Sequence, residues 1–276
     1  MELLHWLVVS LISGFSEFMM VSGEAHQILY ITTAGIDQPD RVILLAIHLG
    51  WLGALWLSCR KRLRELRYER RIAVSTRRRR TRYPDPSALM DMRIINSAAV
   101  PVLIGLLLVG FLPSWTTKTG WIVLFLFVNS IVLVMPRLFS SGNKDSLSYT
   151  MLDGLLMGLA AILGLFPGIS RLACLFSVGL LRGAQKRYSL ELSLLISIPV
   201  SLGLICTDVF MILRAGLGLD GIGFLSCVLA CLASFTGAYL AIRLLRYFCD
   251  RINTTCFAYY SCGLAVFQFL LYLIIP

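Results

Sequence analysis

Charged side chains are scarce in this sequence. Asp, Glu, Lys and Arg make up only 14% of its 276 residues, against 58% hydrophobic residues. A soluble domain carries about 25% charged residues, so the composition excludes an ordinary soluble globule. Acids are scarcer than bases, 15 against 25, which leaves a formal net charge of +10. Histidine occurs three times, and the eight cysteines lie scattered, mostly in apolar runs. With no CxxC pair and no His-rich spacing, neither a zinc site nor a disulfide framework is expected. A cleavable leader is not expected either, because the first apolar segment, Leu3 to Val21, runs into polar residues rather than a small-residue cleavage site.

What is present is long apolar runs, several reaching the ~20 residues a spanning helix needs. The positive excess is concentrated between two of them: Arg60-Lys61-Arg62, Arg64, Arg67, Arg70-Arg71, Arg77 to Arg80 and Arg82. No aromatic-interleaved platform accompanies these charges, so nucleic acid is not an expected partner. They read as a cytoplasmic topology determinant beside the bilayer.

One stretch organises the second half. Phe166-Pro167-Gly168-Ile169-Ser170-Arg171 interrupts an apolar run from Met151 to Leu181. Proline removes an amide donor, glycine frees the backbone, and Ser170 is a good N-cap for a new helix. An arginine at that helix start, inside a membrane segment, makes an anion site, and intramembrane arginines mark function. The first half has a counterpart. Leu3 to Val21 is interrupted by Ser13-Gly14, Ser16-Glu17 and Ser22-Gly23-Glu24-Ala25-His26, then resumes at Ile28. Two short halves around a polar tip predict a re-entrant hairpin, tolerated only where it is buried in protein or lines a cavity.

Spans are expected over Val42 to Cys59, Ile94 to Leu112, Trp121 to Pro136, Leu190 to Leu213, Ile222 to Leu245 and Phe257 to Ile275. Each half then holds one broken segment and three spans, and an odd number of crossings inverts the halves. The expected fold is an all-α polytopic membrane protein of two inverted repeats, each a re-entrant helical hairpin plus three transmembrane helices. It is a single integral membrane domain over 1–276, with repeat one about 1–139, including a basic cytoplasmic loop over 60–93, and repeat two about 149–276. The cytoplasmic ends then also carry Arg137, Lys144, Arg182, Lys186, Arg187, Arg243, Arg246 and Arg251. The opposite side carries the sparse, mixed set Asp37, Asp40, Arg41, Lys118, Arg214 and Asp220, with both termini outside the cytoplasm.

Two tips meeting at mid-membrane would gather Glu17, Ser22 and His26 near Ser170 and Arg171. Arg171 and the helix-start amides at Gly168 to Arg171 suit phosphate oxygens. His26 suits proton transfer, Ser22 a nucleophile, and Glu17 a base or a ligand for a hard cation such as Mg²⁺. Each has a structural alternative: a paired carboxyl, a packing serine, an interfacial imidazole. His48, mid-span, reads as a bond to a neighbouring helix, and His5 as interfacial.

Ser16-Glu17-Phe18-Met19-Met20-Val21-Ser22-Gly23-Glu24-Ala25-His26 resembles the TEFLPVSSxGH motif of the undecaprenyl-pyrophosphate phosphatase (bacitracin-resistance) family, and Pro167-Gly168-Ile169-Ser170-Arg171 its PGxSRSGxT motif. Ile47 to Gly50, Val100-Pro101 with Gly105, Tyr149 with Asp153 and Gly158, Ile198-Pro199 and Phe257 to Tyr260 follow in the family's order. The resemblance implies a bacterial inner-membrane hydrolase that removes one phosphate from undecaprenyl pyrophosphate at the outer face, recycling the lipid carrier of peptidoglycan synthesis. It implies a divalent cation, Mg²⁺ or Ca²⁺, with Glu17 as its ligand, catalysis by Glu17, Ser22, His26 and Arg171, and substrate binding by Gly168, Ser170 and Arg171. Whether the chain forms a homo-oligomer stays open. Ser13 and Gly23 stand where the motifs carry Glu and Ser. Leu172, Ala173 and Leu175 replace Ser, Gly and Thr, Ala161 stands in place of Gln, and Glu24 is an added carboxylate. These departures keep a second reading beside hydrolysis, a polyprenyl-phosphate binding protein or flippase.

Overall fold

The computed structural model describes residues 2–36, 40–75, 83–109, 118–139, 142–215, 223–251 and 253–274. The expectations placed on Asp37, Arg77 to Arg80, Arg82 and Asp220 lie outside these residues. Among the described residues the chain folds into α1 (Glu2–Phe18), α2 (Gly23–Ala34), α3 (Arg41–Ser75), α4 (Pro86–Val109), α5 (Thr119–Leu138), α6 (Met151–Leu163), α7 (Arg171–Leu181), α8 (Lys186–Ala215), α9 (Phe224–Phe248) and α10 (Thr255–Ile274). Helices α3, α4, α5, α8 and α9 are long and apolar enough to cross a membrane, and α10, with 20 residues, occupies the sixth expected span. This is an all-α, polytopic membrane protein.

Three boundaries differ from expectation, each for a local reason. The basic segment after Cys59 is not a loop: α3 continues unbroken to Ser75. Between Ala54 and Tyr83 the sequence holds neither glycine nor proline and is rich in Arg, Leu and Glu, all good helix formers. The extension is pinned by Arg62, whose Nη2 donates to Asp91 at 2.6 Å, and by Glu69, which accepts the Asp85 N–H at 2.9 Å. Helix α4 likewise begins at Pro86, well before Ile94. Proline suits the first helical position, and Asp85 accepts the Ser87 N–H at 3.0 Å. The polar interruption in the first segment is also narrower than expected. Ser13, Gly14 and Ser16 stay helical, because Ser16 Oγ bonds back to the Ile12 carbonyl, so the break spans only Met19 to Ser22.

Helix α1 crosses α9 and α3 lies beside α9, while α6 crosses α4 and α8 lies beside α4; α3 meets α8, and α5 meets α10. Close crossings rely on small residues: a Cβ at Gly14 would sit 2.3 Å from the Ser234 carbonyl, and one at Gly158 would sit 2.2 Å from that of Ala98. Among the described residues, one end of the bundle carries most of the ion pairs. Arg182 Nε lies 2.6 Å from Asp153, Arg246 Nη2 lies 2.7 Å from Glu191, and Asp91 accepts the Tyr188 hydroxyl as well as Arg62. Helix α6 starts and α7 ends at this basic end. Helix α2 instead ends toward the opposite end, where α3 begins. Around the two tips the core is closed by Trp51, Phe18, Met20, Leu165, Leu172 and Phe176.

Candidate functional site

The two helix breaks meet in the interior. Ser170 caps α7 as its position implies: its Oγ accepts the Ala173 N–H at 3.3 Å. Gly168 has φ +116°, and a Cβ there would lie 2.7 Å from Phe125 Cβ, so only glycine fits this turn. In the first tip Met20 and Ser22 hold positive φ, 64° and 65°, without being glycine. Such geometry costs roughly 1–3 kcal/mol at each residue and persists only where its surroundings enforce it.

The enforcement comes from bonds between the tips. Ser22 Oγ accepts the Gly168 N–H at 3.1 Å and the Ala25 N–H at 3.4 Å. Asn129, fully buried on α5, joins both tips: its Nδ2 donates to the Met20 carbonyl at 3.1 Å and to Ser261 Oγ at 3.0 Å, and its Oδ1 accepts the Ser170 N–H at 2.9 Å.

Above this clamp lies the charged centre. Arg171, 4% exposed, donates from Nε and Nη2 to Glu17 Oε1 at 2.9 and 2.7 Å. The other Glu17 oxygen accepts the Gly23 N–H at 3.3 Å. Arg171 Nη1 is buried without a hydrogen-bond partner, and Glu24 Oε1 stands 3.9 Å from it. The guanidinium lies over the Trp51 ring, 5.4 Å from its centroid. A buried ion pair of this kind is costly to assemble and is strongly destabilised by loss of either partner.

The structure thus brings together Glu17, Ser22, Gly168, Ser170 and Arg171. His26 is placed differently. It lies inside the first turns of α2, where Nδ1 donates to the Ser22 carbonyl at 2.8 Å and Nε2 accepts the Tyr260 hydroxyl at 2.8 Å, the two rings stacked. Both ring nitrogens are therefore engaged beside Ser22 rather than on Arg171. Gly23 is fixed by space, since a Cβ would lie 2.6 Å from the Ser13 carbonyl and 3.1 Å from Glu17 Oε2. Ser13 turns away to donate to Gln27 Oε1 at 3.3 Å.

Sequence reasoning missed Asn129, Trp51 and Asp208. Each carried a signal, a lone polar or indole group within an apolar run. Asp208 on α8 accepts the His48 Nδ1–H at 2.5 Å, and Trp51 meets His48 edge-on at 4.7 Å between ring centres. Among the described residues no three His, Cys, Asp or Glu side chains are grouped to hold a metal ion unaided. Glu17 and Glu24, on either side of the Arg171 guanidinium, are the oxygen ligands that could share one with a bound anion.

Over residues 6–267 the sequence matches the family described as bacitracin resistance protein BacA. A relative named undecaprenyl-diphosphatase from Rubrobacter xylanophilus is 31% identical over 276 residues, 96% of either chain. One of the same name from Idiomarina loihiensis is 24% identical over 272 residues, 99% of this chain and 100% of its own length. A third, from Methanobrevibacter smithii, is 26% identical over 277 residues, 97% of this chain and 98% of its own. With both helix breaks inside the matched region, the chain belongs to the bacitracin resistance protein BacA family.

Proposed function

We infer that this protein hydrolyses a polyprenyl diphosphate, undecaprenyl diphosphate by the naming of its relatives, to the lipid monophosphate and inorganic phosphate. The observation that carries the reading is the buried Arg171–Glu17 pair set between two half-helix tips. Burial makes an arginine there expensive unless an anion is to be met, and Nη1 is left free of hydrogen bonds for one. The amides that start α7 and the guanidinium supply donors for phosphate oxygens and for charge that develops as the anhydride breaks. Ser22 Oγ accepts two N–H groups, which leaves its own proton free to be donated to a phosphate oxygen.

Charge balance supports a divalent cation. Glu17 and Glu24 together outweigh Arg171, so a diphosphate enters a site that is negative without further neutralisation. Glu17 and Glu24 fit a hard cation completed by substrate phosphates, Mg²⁺ or Ca²⁺ by ligand type. Bound there, the cation supplies charge neutralisation for the phosphate oxygens.

The reading includes a cell inner membrane with the basic helix ends cytoplasmic and the site serving the outer side. It rests on the asymmetry of Lys and Arg and on the entry of the two hairpins from opposite ends of the bundle. Inverted repeats are supported by the packing. Exchanging the halves turns the α1–α9 pair into α6–α4 and the α3–α9 pair into α8–α4, and leaves α3–α8 and α5–α10 in place.

The test is phosphate release from a long-chain polyprenyl diphosphate by purified protein in detergent, with Mg²⁺ or Ca²⁺ and with chelator. Metal-dependent release that Arg171→Ala and Glu17→Ala each abolish is expected. Lipid binding without release by folded protein would overturn hydrolysis in favour of a lipid-phosphate carrier.

A further inference from the structure

A second buried charge cluster adjoins the site. His48 on α3 and Asp208 on α8 are 7% and 4% exposed, and their Nδ1–Oδ2 separation is 2.5 Å. In the membrane interior such a pair is rare and expensive, and where it occurs it commonly marks a proton or ion path. The carboxylate fixes the tautomer: Nδ1 carries the proton, so Nε2 of the neutral ring is the basic atom, and it makes no hydrogen bond among the described residues. Toward the site, His48 leans on Trp51, whose ring also carries the Arg171 guanidinium. Asp208 lies within electrostatic reach of both Arg171 and Glu24. Away from the site, Asp208 Oδ1 is 4.0 Å from Arg41 Nη1, and the Arg41 side chain is 51% exposed. Arg41 begins α3, about 10 Å along the helix from His48. Acidic and basic groups thus run from an exposed helix end to the buried guanidinium.

We propose that the His48–Asp208 pair is a proton relay between the Arg171 site and the membrane face that carries Arg41. The proposal rests on the hydrolytic reading above. Hydrolysis needs such an outlet. Water adds to the terminal phosphorus, the anhydride P–O bond breaks with its electron pair on the lipid monophosphate, and one proton of the water is left over. His48 Nε2 takes that proton through intervening water. The imidazolium is held by the Asp208 carboxylate, and the proton leaves at the Arg41 end. The charged groups around the pair are Arg41 on α3, Glu17 on α1, Glu24 on α2 and Arg171 on α7. Helix α9 presents the Ser234 hydroxyl, which donates to the Ile47 carbonyl, and the Cys231 thiol. His48 and Asp208 act on the reaction through proton movement, so they are positioning residues.

The experiment is the pH profile of kcat and kcat/KM between about pH 5 and 9 for wild type, H48Q and D208N, with thermal midpoint and lipid binding measured on the same preparations. Wild type is expected to lose activity on the acid side as His48 becomes protonated. H48Q is expected to lose that limb and to fall about 10²-fold in kcat near neutrality while still binding lipid. In D208N the acid limb is expected to move from its wild-type position, because the ring has lost the carboxylate that holds its Nδ1 proton. A pair that only ties two helices would lower the thermal midpoint without moving the limb. An H48Q profile parallel to wild type, with kcat within about twofold, overturns the relay. If H48Q does not fold, an unmoved limb in D208N does the same. Folded wild type that releases no phosphate overturns hydrolysis and the relay together, whereas release with unmoved profiles overturns the relay alone.

Discussion

The geometry around Arg171 makes a quantitative claim about two carboxylates that share one guanidinium. Glu17 Oε1 is 2.7 Å from Nη2 and Glu24 Oε1 is 3.9 Å from Nη1. At an effective dielectric near 20, Coulomb attraction is about 6 kcal/mol at the first distance and about 4 kcal/mol at the second. The second value is reduced by solvent, since the Glu24 side chain is 32% exposed. Removing one partner of a buried pair costs roughly 3–5 kcal/mol when nothing replaces it. Glu24 is near enough to take up part of that loss.

The double-mutant cycle of Glu17→Gln and Glu24→Gln reads this sharing. Glu17→Gln alone should destabilise by about 2 kcal/mol and Glu24→Gln by less than about 1 kcal/mol. The double variant should exceed their sum by about 1 kcal/mol or more, because the arginine then has no counter-charge. Denaturant titration of the protein in detergent, with mixed micelles held constant, supplies the free energies. A thermal scan should show shifts of about 2–4 °C per kcal/mol. Strict additivity, within about 0.5 kcal/mol, would mean that Glu24 does not serve Arg171. The same result would remove its place in the proposed cation site.

Asn129→Asp replaces a donor with an acceptor opposite the Met20 carbonyl and should cost about 1–3 kcal/mol. It should also lower kcat more than lipid binding, checked by paired phosphate-release and binding assays. Gly23→Ser, which restores a motif residue, should destabilise by about 1–3 kcal/mol and fail to raise activity, because its Cβ meets the Ser13 carbonyl; thermal midpoint and turnover test this. Outside the membrane, bonds from the Ser87 hydroxyl and N–H hold the Asp85 carboxyl below the usual carboxylate range. That lowered value stabilises the start of α4 at every pH above the ordinary carboxylate range. The contribution is lost as pH falls through the lowered value, so hydrogen-exchange protection of the Ser87 to Leu89 amides, corrected for intrinsic rate, should decline there.

What the sequence disclosed follows the reach of each signal. Proline, glycine and a capping serine act within a few residues, so the break before Arg171 was legible, as were the long apolar helices. The narrower first break was not, because Ser16 satisfies itself within the helix and Ser13 bonds Gln27 of α2 instead of opening it. The basic run after Cys59 reads as a loop by charge but folds by propensity and by its pairing with Asp91. Partnerships across the chain had no local signature. Glu17 finds Arg171 across 154 positions, and His48 finds Asp208 across 160. Asn129 stood out only as an amide in an apolar run, and its three bonds depend on how both tips are placed around it.

The uninterrupted course of α3 has a mechanical consequence. Its 35 residues make a rod of about 52 Å, and Trp51, beneath the Arg171 guanidinium, lies about 36 Å from the Ser75 end. Past Cys59 the rod exposes Arg60, Lys61, Arg64, Arg67, Arg70 and Arg71. Whatever takes hold of that arm grips a lever held by the α3–α8 and α3–α9 packing and by its bonds to Asp91 and Asp85. A tilt at its tip strains the Arg62–Asp91 and Glu69–Asp85 bonds that pin the arm, and no glycine or proline between Ala54 and Ser75 offers a hinge on the way to the indole that supports the arginine.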